Sequence, residues 1–434
     1  METLIIDGGN KLHGGIRVQG AKNGALPALA ASVLGGRSVI RNCPRLTDTD
    51  SSVEILRLLG CEVERDGDTV AVDASRTPRC DIPPELMSRM RSSVIFLGAV
   101  LARCGRAVVS APGGCMLGRR PIDLHLEAMR LLGADVTERR GLMFCECAGR
   151  LKGAEIVLSY PSVGATENVI IAASTAKGRT VLVGAAREPE ITELADFINA
   201  KGGRISGAGG DVVIIDGVEA LGDCEHVCIP DRIAAATYIA AAAATGSELT
   251  LYGAEPKHMT AVISAFSETG CRFRESGSGL TVTAPERLKA VRFIRAAPYP
   301  CFPTDAQPLL AAALAFADGV SVINETVFDG RFRYLRKLAK FGADVKAEGS
   351  LAVIRGRPFL TGAKAECTDL RGGAALLTAA FGARGRSEIS AIRHIDRGYE
   401  SVETAFAAAG AKIYRNVKNE TAHAGGGFRE ASGV

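Results

Sequence analysis

An internal repeat of about 70 residues, present six times, is the feature that most restricts the fold of this 434-residue chain. In each copy an apolar helix end is followed by a glycine and then by a strand-like segment, as in LLGCEVERDGDTVAV and LLGADVTERRGLMFC. A glycine at such a place is typical of a helix that ends in the left-handed conformation. So regular a period indicates duplicated structural units. The marker glycines, spaced by 67 to 73 residues, are Gly60, Gly133, Gly203, Gly270, Gly342 and Gly410.

Each unit also contains an earlier helix made almost entirely of small and apolar residues. Examples are ALPALAASVL, VIFLGAVLARC, IAAATYIAAAAA and QPLLAAALAFA. A helix without a polar face is expected to be buried, and a short strand follows each one. The unit is therefore predicted to run strand, buried helix, strand, surface helix and hairpin, which is an α/β fold. Because six units exceed one core, we expect two domains of three units divided near Ile229–Pro230, and a loose polar tail from about residue 416.

The composition excludes several classes of protein. With 52 basic and 48 acidic residues the net charge is only +4, too small to indicate nucleic acid or an anionic membrane as a partner. No apolar run approaches the ~18 residues of a membrane span, and the start, METLIIDGGNKLHGG, does not resemble a signal peptide. The twelve cysteines include no CxxC pair, and the six histidines lack the spacing of metal ligands. We therefore expect reduced thiols, a cytoplasmic location and no metal site.

Charged residues recur at the starts of the buried helices. If three units surround a common axis, the helix N-termini meet at one end of each domain, where helix dipoles and basic side chains attract a phosphate or carboxylate. Any one of these charges is also explained by a solvated helix start, and Thr304 or Asp305 could serve as an N-cap. The equivalent positions, 37 to 42 residues before each marker glycine, are Lys22, Arg91, Thr166, Arg232, Asp305 and Arg371.

A glycine-rich segment, PGGCMLGRRPID, places Cys115 beside Arg119 and Arg120. The glycines predict a mobile loop, and the arginines favour a thiolate or an anionic substrate next to the thiol. The other eleven cysteines lie mostly in apolar contexts and are interpreted as core or inert surface residues. In other units, the segment between the strand and the surface helix lies at the matching place, and three such segments contain Glu188, Arg331 and Arg397. These segments either belong to the same site or are salt-bridged connections.

Ten segments form a single pattern in chain order: GAKNGALPALAASVL, MRSSV, PGGCMLGRRPIDLH, PSVGATEN, AAREPEI, PDRI, FPTDAQ, ETVFDGRF, TDLRGGAAL and HIDRGYES. This pattern, from about residue 4 to 415, resembles the UDP-N-acetylglucosamine enolpyruvyl transferases, also called 1-carboxyvinyltransferases. The sister family that makes enolpyruvyl shikimate phosphate lacks the PGGC loop, so the resemblance is specific. It implies a two-domain inside-out α/β barrel of six units, in which residues 22–229 form the domain carrying Cys115 and residues 1–21 join 230–434 in the other.

The resemblance implies transfer of enolpyruvyl from phosphoenolpyruvate to the 3′-hydroxyl of UDP-N-acetylglucosamine, with release of phosphate. This reaction is the first committed step of peptidoglycan biosynthesis, which would connect the chain with cell wall biogenesis, cell shape and cell division. No metal or organic cofactor is implied, and protein partners and oligomeric state stay open. Cations on both domains, such as Lys22 and Arg397, are expected to repel one another while the cleft is empty, and UDP-sugar is expected to close it.

The family also implies roles for the matched residues. Cys115 would protonate the enol carbon, and Asp305 would accept the proton of the 3′-hydroxyl. Lys22 and Arg397, the other two implied catalytic residues, would join Arg120 in holding the phosphate and carboxylate of phosphoenolpyruvate. The remaining implied substrate-binding residues are Asn23, Arg91, Pro121, Ile122, Asp123, Leu124, Ser162, Val163, Gly164, Glu188, Val327, Arg331 and Arg371.

Two positions depart from the family pattern. Some members carry lysine where this chain has Thr47, and another basic contact is replaced by Tyr160. Both changes would weaken anion binding, and the extra charge of Arg119 would partly compensate. Two other functions stay open: an enolpyruvyl transferase with another acceptor, and a non-catalytic paralogue that senses UDP-sugar. The PGGC and SVGAT segments argue against the first, and the presence of Cys115, Asp305 and Lys22 argues against the second.

Overall fold

The computed structural model of the chain describes residues 2–76, 79–110, 122–277 and 279–417. The predicted site residues Cys115, Arg119, Arg120 and Pro121 lie outside these ranges. Within them, no helix has both the length and the apolar character that crossing a membrane requires. The predicted start of the tail, about residue 416, falls at the end of the last described strand.

The strands of the described ranges alternate with helices along the whole chain. In chain order the strands are β1 Glu2–Gly8, β2 Gly15–Arg17, β3 Arg37–Arg41, β4 Glu62–Asp66, β5 Thr69–Asp73, β6 Arg106–Ser110, β7 Asp135–Arg139, β8 Leu142–Glu146, β9 Glu155–Val157, β10 Arg179–Val183, β11 Ile205–Ser206, β12 Val212–Asp216, β13 Cys224–Val227, β14 Glu248–Tyr252, β15 Arg272–Ser276, β16 Gly279–Thr283, β17 Ile294–Ala296, β18 Val320–Glu325, β19 Asp344–Glu348, β20 Leu351–Arg355, β21 Lys364–Glu366, β22 Gly385–Ser390 and β23 Lys412–Val417.

The helices comprise α-helices and short 3-10 turns. The α-helices are α1 Lys22–Ala31, α2 Thr47–Leu59, α3 Pro84–Met87, α4 Phe96–Cys104, α5 Asp123–Leu131, α6 Val163–Ala173, α7 Pro189–Ala200, α8 Arg232–Thr245, α9 Thr260–Glu268, α10 Gln307–Leu314, α11 Leu335–Leu338, α12 Leu370–Gly382 and α13 Val402–Ala408. The 3-10 turns are Ser32–Leu34, Arg91–Ile95, Pro256–His258, Arg331–Tyr334, Ala339–Phe341 and Ile392–His394.

The strands form six small sheets built on one pattern. Their orders are β13-β3-β5-β4, β6-β8-β7, β9-β10-β12-β11, β2-β14-β16-β15, β17-β18-β20-β19 and β21-β22-β1-β23. In every four-stranded sheet the first pair is parallel and the other two pairs are antiparallel. In the second sheet, a single parallel bridge between Asp81 and Val108 occupies the place of the parallel edge strand.

The two ends of the chain complete the sixth unit together. In the first five units a hairpin of consecutive strands supplies the two antiparallel positions. In the sixth, β1 takes one of these positions and pairs with β23, so that Ile5 lies opposite Tyr414. The repeat therefore closes on itself, a feature that the spacing of the glycines did not predict.

Glycines end the surface helices as the repeat predicts, with one correction. Five of the six marker glycines have φ between +83° and +98°, the left-handed conformation that other residues rarely adopt. In the third unit that conformation belongs to Gly202, with φ +94°, and the prediction of Gly203 was wrong by one residue. Gly203 is instead packed against Ile198, whose Cγ2 would lie 2.6 Å from an added Cβ.

The apolar helices are buried in two separate clusters. Helices α1, α4 and α6 belong to a cluster whose members lie between Ala25 and Cys228. Helices α8, α10 and α12 belong to a second cluster, which spans Leu4–Val18 and Ile233–Ile413. Small residues let these helices approach closely, because close packing leaves no space for larger side chains. We propose that the two clusters are the cores of two domains, residues 22–229 and residues 1–21 with 230–434.

The chain passes between the two clusters twice, and the two crossing segments pair with each other. Gly20 and Pro230 form an antiparallel bridge. The amide of Ala21 donates to the carbonyl oxygen of Ile229 at 2.7 Å, and the amide of Asp231 donates to that of Gln19 at 2.9 Å. The connection is therefore a short two-stranded ribbon, whose backbone hydrogen bonds are satisfied internally.

We expect Gly20→Ala to destabilise this ribbon. An added Cβ would lie 1.7 Å from the carbonyl oxygen of Asn42, which belongs to the backbone and cannot rotate away. Overpacking of this kind costs about 1–3 kcal/mol, so the midpoint of thermal unfolding should fall by several degrees. Gly277→Ala is the matched control, because nothing lies within 4 Å of its added Cβ. An equal midpoint for the two variants would contradict the packing at Gly20.

Candidate active site

A cleft of about 610 Å³ lies where the starts of buried helices from both clusters meet. It is lined by helix starts at Lys22, Arg232 and Leu370, and by the turn that begins at Arg91. Every predicted site residue within the described ranges lies on its wall: Lys22, Asn23, Arg91, Ile122, Asp123, Leu124, Ser162, Val163, Gly164, Glu188, Asp305, Val327, Arg331, Arg371 and Arg397. Five of the six repeat positions, all except Thr166, thus line one cavity.

Asp305 is clamped between two buried arginines. Arg331 donates from Nη2 to Oδ1 of Asp305 at 2.5 Å, and Arg371 donates from Nε to Oδ2 at 3.2 Å. The arginine side chains are only 2% and 3% exposed. Burial opposes ionisation, but the charges of Arg371 and Arg331, with a further contribution from Lys22, outweigh it and hold the pKa of Asp305 well below its usual range. The residue before α10 is Ala306, so Asp305 does not serve as an N-cap.

Asp48, which the sequence analysis missed, joins cations from the two clusters. Lys22 donates from Nζ to Oδ2 of Asp48 at 3.0 Å. Arg397 donates from Nε to Oδ1 at 2.9 Å and from Nη2 to Oδ2 at 3.3 Å. The carboxylate is 4% exposed, and although burial opposes ionisation, Lys22 and Arg397 keep the pKa of Asp48 below its ordinary value. Its position in the first turn of α2 was readable from PRLTDTD as a helix start, but not as a contact of the cleft.

Arg232 is also paired with a carboxylate. Its Nε and Nη2 donate to both carboxylate oxygens of Glu190 at 3.0–3.3 Å, and its guanidinium lies 5.5 Å from the ring centre of Tyr299. The expectation of uncompensated cations that repel across an empty cleft therefore needs correction. Asp48, Asp305 and Glu190 each hold one or two of these cations, because an unpaired buried charge is costly.

Two glutamates on the wall of the first cluster have raised pKa values, in contrast to the lowered pKa values of Asp48 and Asp305. Burial, followed by the nearby carboxylates of Glu190 and Glu188, raises the pKa of Glu167 well above its ordinary value. Burial also raises the pKa of Glu188, although Arg232 opposes the shift. Oε2 of Glu188 is buried and has no hydrogen-bond partner within the part of the chain that the structure describes. A protonated glutamate here can donate a hydrogen bond into the cleft.

His125 lies beneath the predicted UDP-sugar segments and is held by Asn168. The amide nitrogen of Asn168 lies 2.7 Å from Nδ1 of His125 and donates to the carbonyl oxygen of Val94, while its oxygen accepts from the amide of Gly98. With this amide orientation, Nδ1 accepts and the histidine proton sits on Nε2, near Gly164. Burial, helped by the charge of Arg91, lowers the pKa of His125 to about 4. The imidazole is therefore neutral at pH 7.

The loop that carries Val327 is fixed by a buried carboxylate. Oε1 of Glu325 accepts from the amides of Val327 and Phe328 at 2.8 and 3.2 Å. Thr304 donates to Oε2 of Glu325 at 2.8 Å and accepts from Nε of Arg331 at 3.1 Å. The loop and the Asp305 clamp therefore form one hydrogen-bonded network. None of the groups of His, Cys, Asp and Glu in the described ranges is arranged to hold a metal ion.

The other repeat positions do not all contribute charge. Thr166 lies one turn inside α6, and its hydroxyl accepts from the amide of Ala186 at 3.0 Å, which is a structural contact. Ser162 begins the same helix as its N-cap and accepts from the amide of Ala165. Thr47 contacts the second cluster through its backbone: its amide donates to the carbonyl oxygen of Asp396 at 3.3 Å.

Comparison with known sequences gives a family for the chain. The family described as EPSP synthase (3-phosphoshikimate 1-carboxyvinyltransferase) matches residues 6–406. A UDP-N-acetylglucosamine 1-carboxyvinyltransferase 2 of Caldanaerobacter subterraneus is 48% identical over 96% of this chain and 100% of its own length. A UDP-N-acetylglucosamine 1-carboxyvinyltransferase 1 of Symbiobacterium thermophilum is 46% identical over 95% of both chains. A UDP-N-acetylglucosamine 1-carboxyvinyltransferase of Myxococcus xanthus is 43% identical over 96% of this chain and 99% of its own length.

Solved structures confirm the predicted fold class. The enolpyruvyl transferase NikO from Streptomyces tendae superimposes with a TM-score of 0.86, at 27% identity and over 96% of this chain and 99% of its own. EPSP synthase from Acinetobacter baumannii superimposes with a TM-score of 0.74 over 96% of this chain and 100% of its own, at 19% identity, and supports the fold alone.

We expect His125 to make the protein less stable in acid. Its folded pKa of about 4 lies below the ordinary value of 6.5, so the unfolded state binds more protons between these two values and stability falls as the pH drops through that window. The loss amounts to roughly 3 kcal/mol below pH 4 for this buried group. Urea unfolding at pH 7 and pH 4 should show a smaller difference in His125→Gln than in the natural chain.

His13→Gln is the control for this experiment, because His13 is exposed and lies outside the cleft. A pH dependence that stays the same in His125→Gln would contradict the neutral, buried imidazole.

Proposed function

The chain belongs to the EPSP synthase family of carboxyvinyltransferases, and we propose that it transfers enolpyruvyl from phosphoenolpyruvate to the 3′-hydroxyl of UDP-N-acetylglucosamine, releasing phosphate. The observation that carries the proposal is the convergence of every described predicted residue on one cleft, with Asp305 held between Arg331 and Arg371. The relatives named UDP-N-acetylglucosamine 1-carboxyvinyltransferase support the choice of acceptor. No metal or organic cofactor enters the proposal.

The reaction adds and then removes one proton at the same carbon. Protonation of the enol CH₂ leaves an electron-poor carbon, which the 3′-hydroxyl oxygen attacks to give a tetrahedral intermediate. Loss of a methyl proton and of phosphate from this intermediate gives the enolpyruvyl ether. Both the substrate and the intermediate carry phosphate and carboxylate charge. We assign these groups to Lys22, Arg397 and, from the sequence, Arg120, because fixed cations stabilise such charge best in a cleft away from bulk water.

Because two arginines lower the pKa of Asp305, its carboxylate is a weak base. This weakness determines at which stage of the reaction it can accept a proton. A neutral sugar hydroxyl is too weak an acid to protonate a carboxylate whose pKa is held low by two arginines. Once the hydroxyl oxygen has bonded to the electron-poor carbon, it carries positive charge and is a strong acid. We therefore place proton transfer to Asp305 after the start of the attack.

Cys115 supplies the proton for the enol carbon in this proposal. It lies outside the described residues, so its assignment rests on its sequence context beside Arg119 and Arg120. For the UDP-sugar we propose segments on both sides of the cleft, which are Arg120 to Leu124, Ser162 to Gly164, and Val327. Asn23, Arg91 and Glu188 would complete the wall.

The cellular role follows from the product. Enolpyruvyl-UDP-N-acetylglucosamine is the first committed intermediate of peptidoglycan biosynthesis, so we propose roles in cell wall biogenesis, cell shape and cell division. Its two substrates are soluble anions, and we propose that the protein works in the cytoplasm.

Phosphate release tests the proposed function. The purified chain should release phosphate from phosphoenolpyruvate only when UDP-N-acetylglucosamine is present. Shikimate 3-phosphate in place of the UDP-sugar is the control acceptor, and it should give no phosphate. Phosphate release with shikimate 3-phosphate but not with UDP-N-acetylglucosamine would assign another acceptor. Phosphate release with neither acceptor would favour a non-catalytic protein. Either result would overturn the proposal.

We expect Asp305→Asn to keep UDP-sugar binding and to lower kcat by about 10²-fold or more, the usual scale for an acid–base group. The asparagine retains an oxygen for one arginine but cannot accept the hydroxyl proton. Asp318→Asn is the matched control, because Asp318 lies beyond the far end of α10 and pairs with Arg287 on the surface. Full turnover with a weakened UDP-sugar affinity would make Asp305 a binding residue only.

We expect Cys115→Ala to fold normally and to lose most of its turnover, because the variant lacks the acid for the enol carbon. Steady-state phosphate release and a thermal unfolding curve together measure the two properties. Cys301→Ala is the control, since Cys301 is an exposed thiol outside the cleft. Turnover equal to that of the natural chain would remove Cys115 from the mechanism.

A further inference from the structure

The start of α2 in the first domain contacts the segment 396–400 of the second domain at three points. The amide of Thr47 donates to the carbonyl oxygen of Asp396 at 3.3 Å, and the amide of Arg45 donates to a carboxylate oxygen of Glu400. Between them, Asp48 binds Arg397 through two charge-assisted hydrogen bonds. These contacts join residues about 350 positions apart in the chain, so they depend on the relative placement of the two domains.

Both sides of this contact are held in place by their own domain. Asp48 lies in the first turn of a 13-residue helix, where a negative charge is favoured by the helix dipole, and Thr49 stabilises that turn by accepting from the amide of Leu46 at 3.1 Å. On the other side, Arg415 fixes Asp396 by donating to its two carboxylate oxygens at 2.7 and 3.1 Å. The Asp48–Arg397 pair therefore connects two rigid elements.

One carboxylate serves two cations here. Asp48 accepts from Lys22 of its own domain and from Arg397 of the other, and both cations line the cleft. Without the carboxylate, an ammonium that is 12% exposed and a guanidinium that is 18% exposed would face each other across the domain boundary and repel. With it, the pair is held together and still carries a net charge of +1 toward an anionic ligand.

We propose that Asp48 is a positioning residue for phosphoenolpyruvate: its carboxylate holds Arg397 of the second domain beside Lys22 of the first, so that the two-domain anion site exists before the substrate arrives. The inference rests on the proposed function for the identity of the substrate. It assigns no proton transfer to Asp48, because both carboxylate oxygens are already occupied by cations. Its effect belongs to substrate binding and domain placement.

Asp48→Asn tests the role in binding. The asparagine is isosteric but lacks the charge that holds both cations, and the loss of a charge-assisted contact should raise KM for phosphoenolpyruvate by about 10- to 100-fold. KM for UDP-N-acetylglucosamine and kcat should change much less. Asp48→Glu, which restores the charge, should recover part of the affinity.

Asp50→Asn is the matched control for that experiment. Asp50 lies in the same first turn of α2, but its side chain is 61% exposed and pairs with Arg65 at 2.9 Å. The control should leave both KM values unchanged. An equal rise of KM in both variants would mean that the helix start is merely disturbed. Unchanged or tighter binding of phosphoenolpyruvate in Asp48→Asn would show that Asp48 only competes for the cations, and either result would overturn the proposal.

Hydrogen exchange tests the domain contact without substrate or turnover. The amides of Arg45 and Thr47 donate across the boundary, so peptides that contain them should exchange at least several-fold faster in Asp48→Asn than in Asp50→Asn. Arg397→Gln is a second variant that leaves Lys22 and Asp48 paired, so neither of these two charges loses its partner. This variant should accelerate the exchange of the same peptides to the same extent. Unchanged exchange in both variants would contradict the positioning role even if the chain catalyses a different reaction. A natural chain without turnover would contradict the proposed function and leave this result in place.

Discussion

The architecture of the cleft depends on the pairing of buried cations with a small number of carboxylates. Helix starts from the two buried clusters bring basic side chains together, and an array of buried, unpaired cations would be too costly to persist. Asp305 compensates the charges of Arg331 and Arg371, which start from the second cluster. Asp48 compensates Lys22 and Arg397, which come from different clusters. The site can therefore be assembled in advance and still attract an anion.

The fold supplies the geometry that this pairing needs. Alanine-rich helices such as α8 are buried on all sides, and their small side chains let three helices pack closely within each cluster. Because these helices start at the same end of their cluster, residues at or just before their starts line one cavity, as Lys22, Asp305 and Arg371 do. The same closeness makes the interior intolerant of added volume: at Gly98 a Cβ would lie 2.6 Å from Oδ1 of Asn168, the residue that fixes His125.

The repeat predicted the charged residues at the helix starts of the cleft, and the resemblance to a known family implied most of the other residues that line it. A period near 70 gave the units, and the positions before each marker glycine gave Lys22, Arg371 and Asp305. The repeat could not predict contacts between side chains of different units. Asp48 occurs in the first turn of a surface helix, where an acidic residue is ordinary, and only the folded chain brings it against Arg397. Likewise β1 completes the sixth hairpin through a pairing whose partners lie at opposite ends of the chain.

Burial shifts two glutamates on the cleft wall toward their neutral form. Among the described residues, six basic side chains and eight carboxyl groups line the wall, so full ionisation would give it a negative balance. Burial opposes that outcome, because it raises the pKa of Glu167 and Glu188, and each proton retained removes one negative charge. Nε and Nη2 of Arg232 donate to Glu190, and Oε2 of Glu188 has no hydrogen-bond partner among the described residues. Tyr160 lines the same cleft, and burial and the charge of Glu188 raise the pKa of its hydroxyl. A neutral phenol beside a carboxyl group whose pKa is raised adds no negative charge to that wall, so Tyr160 is compatible with an anionic substrate.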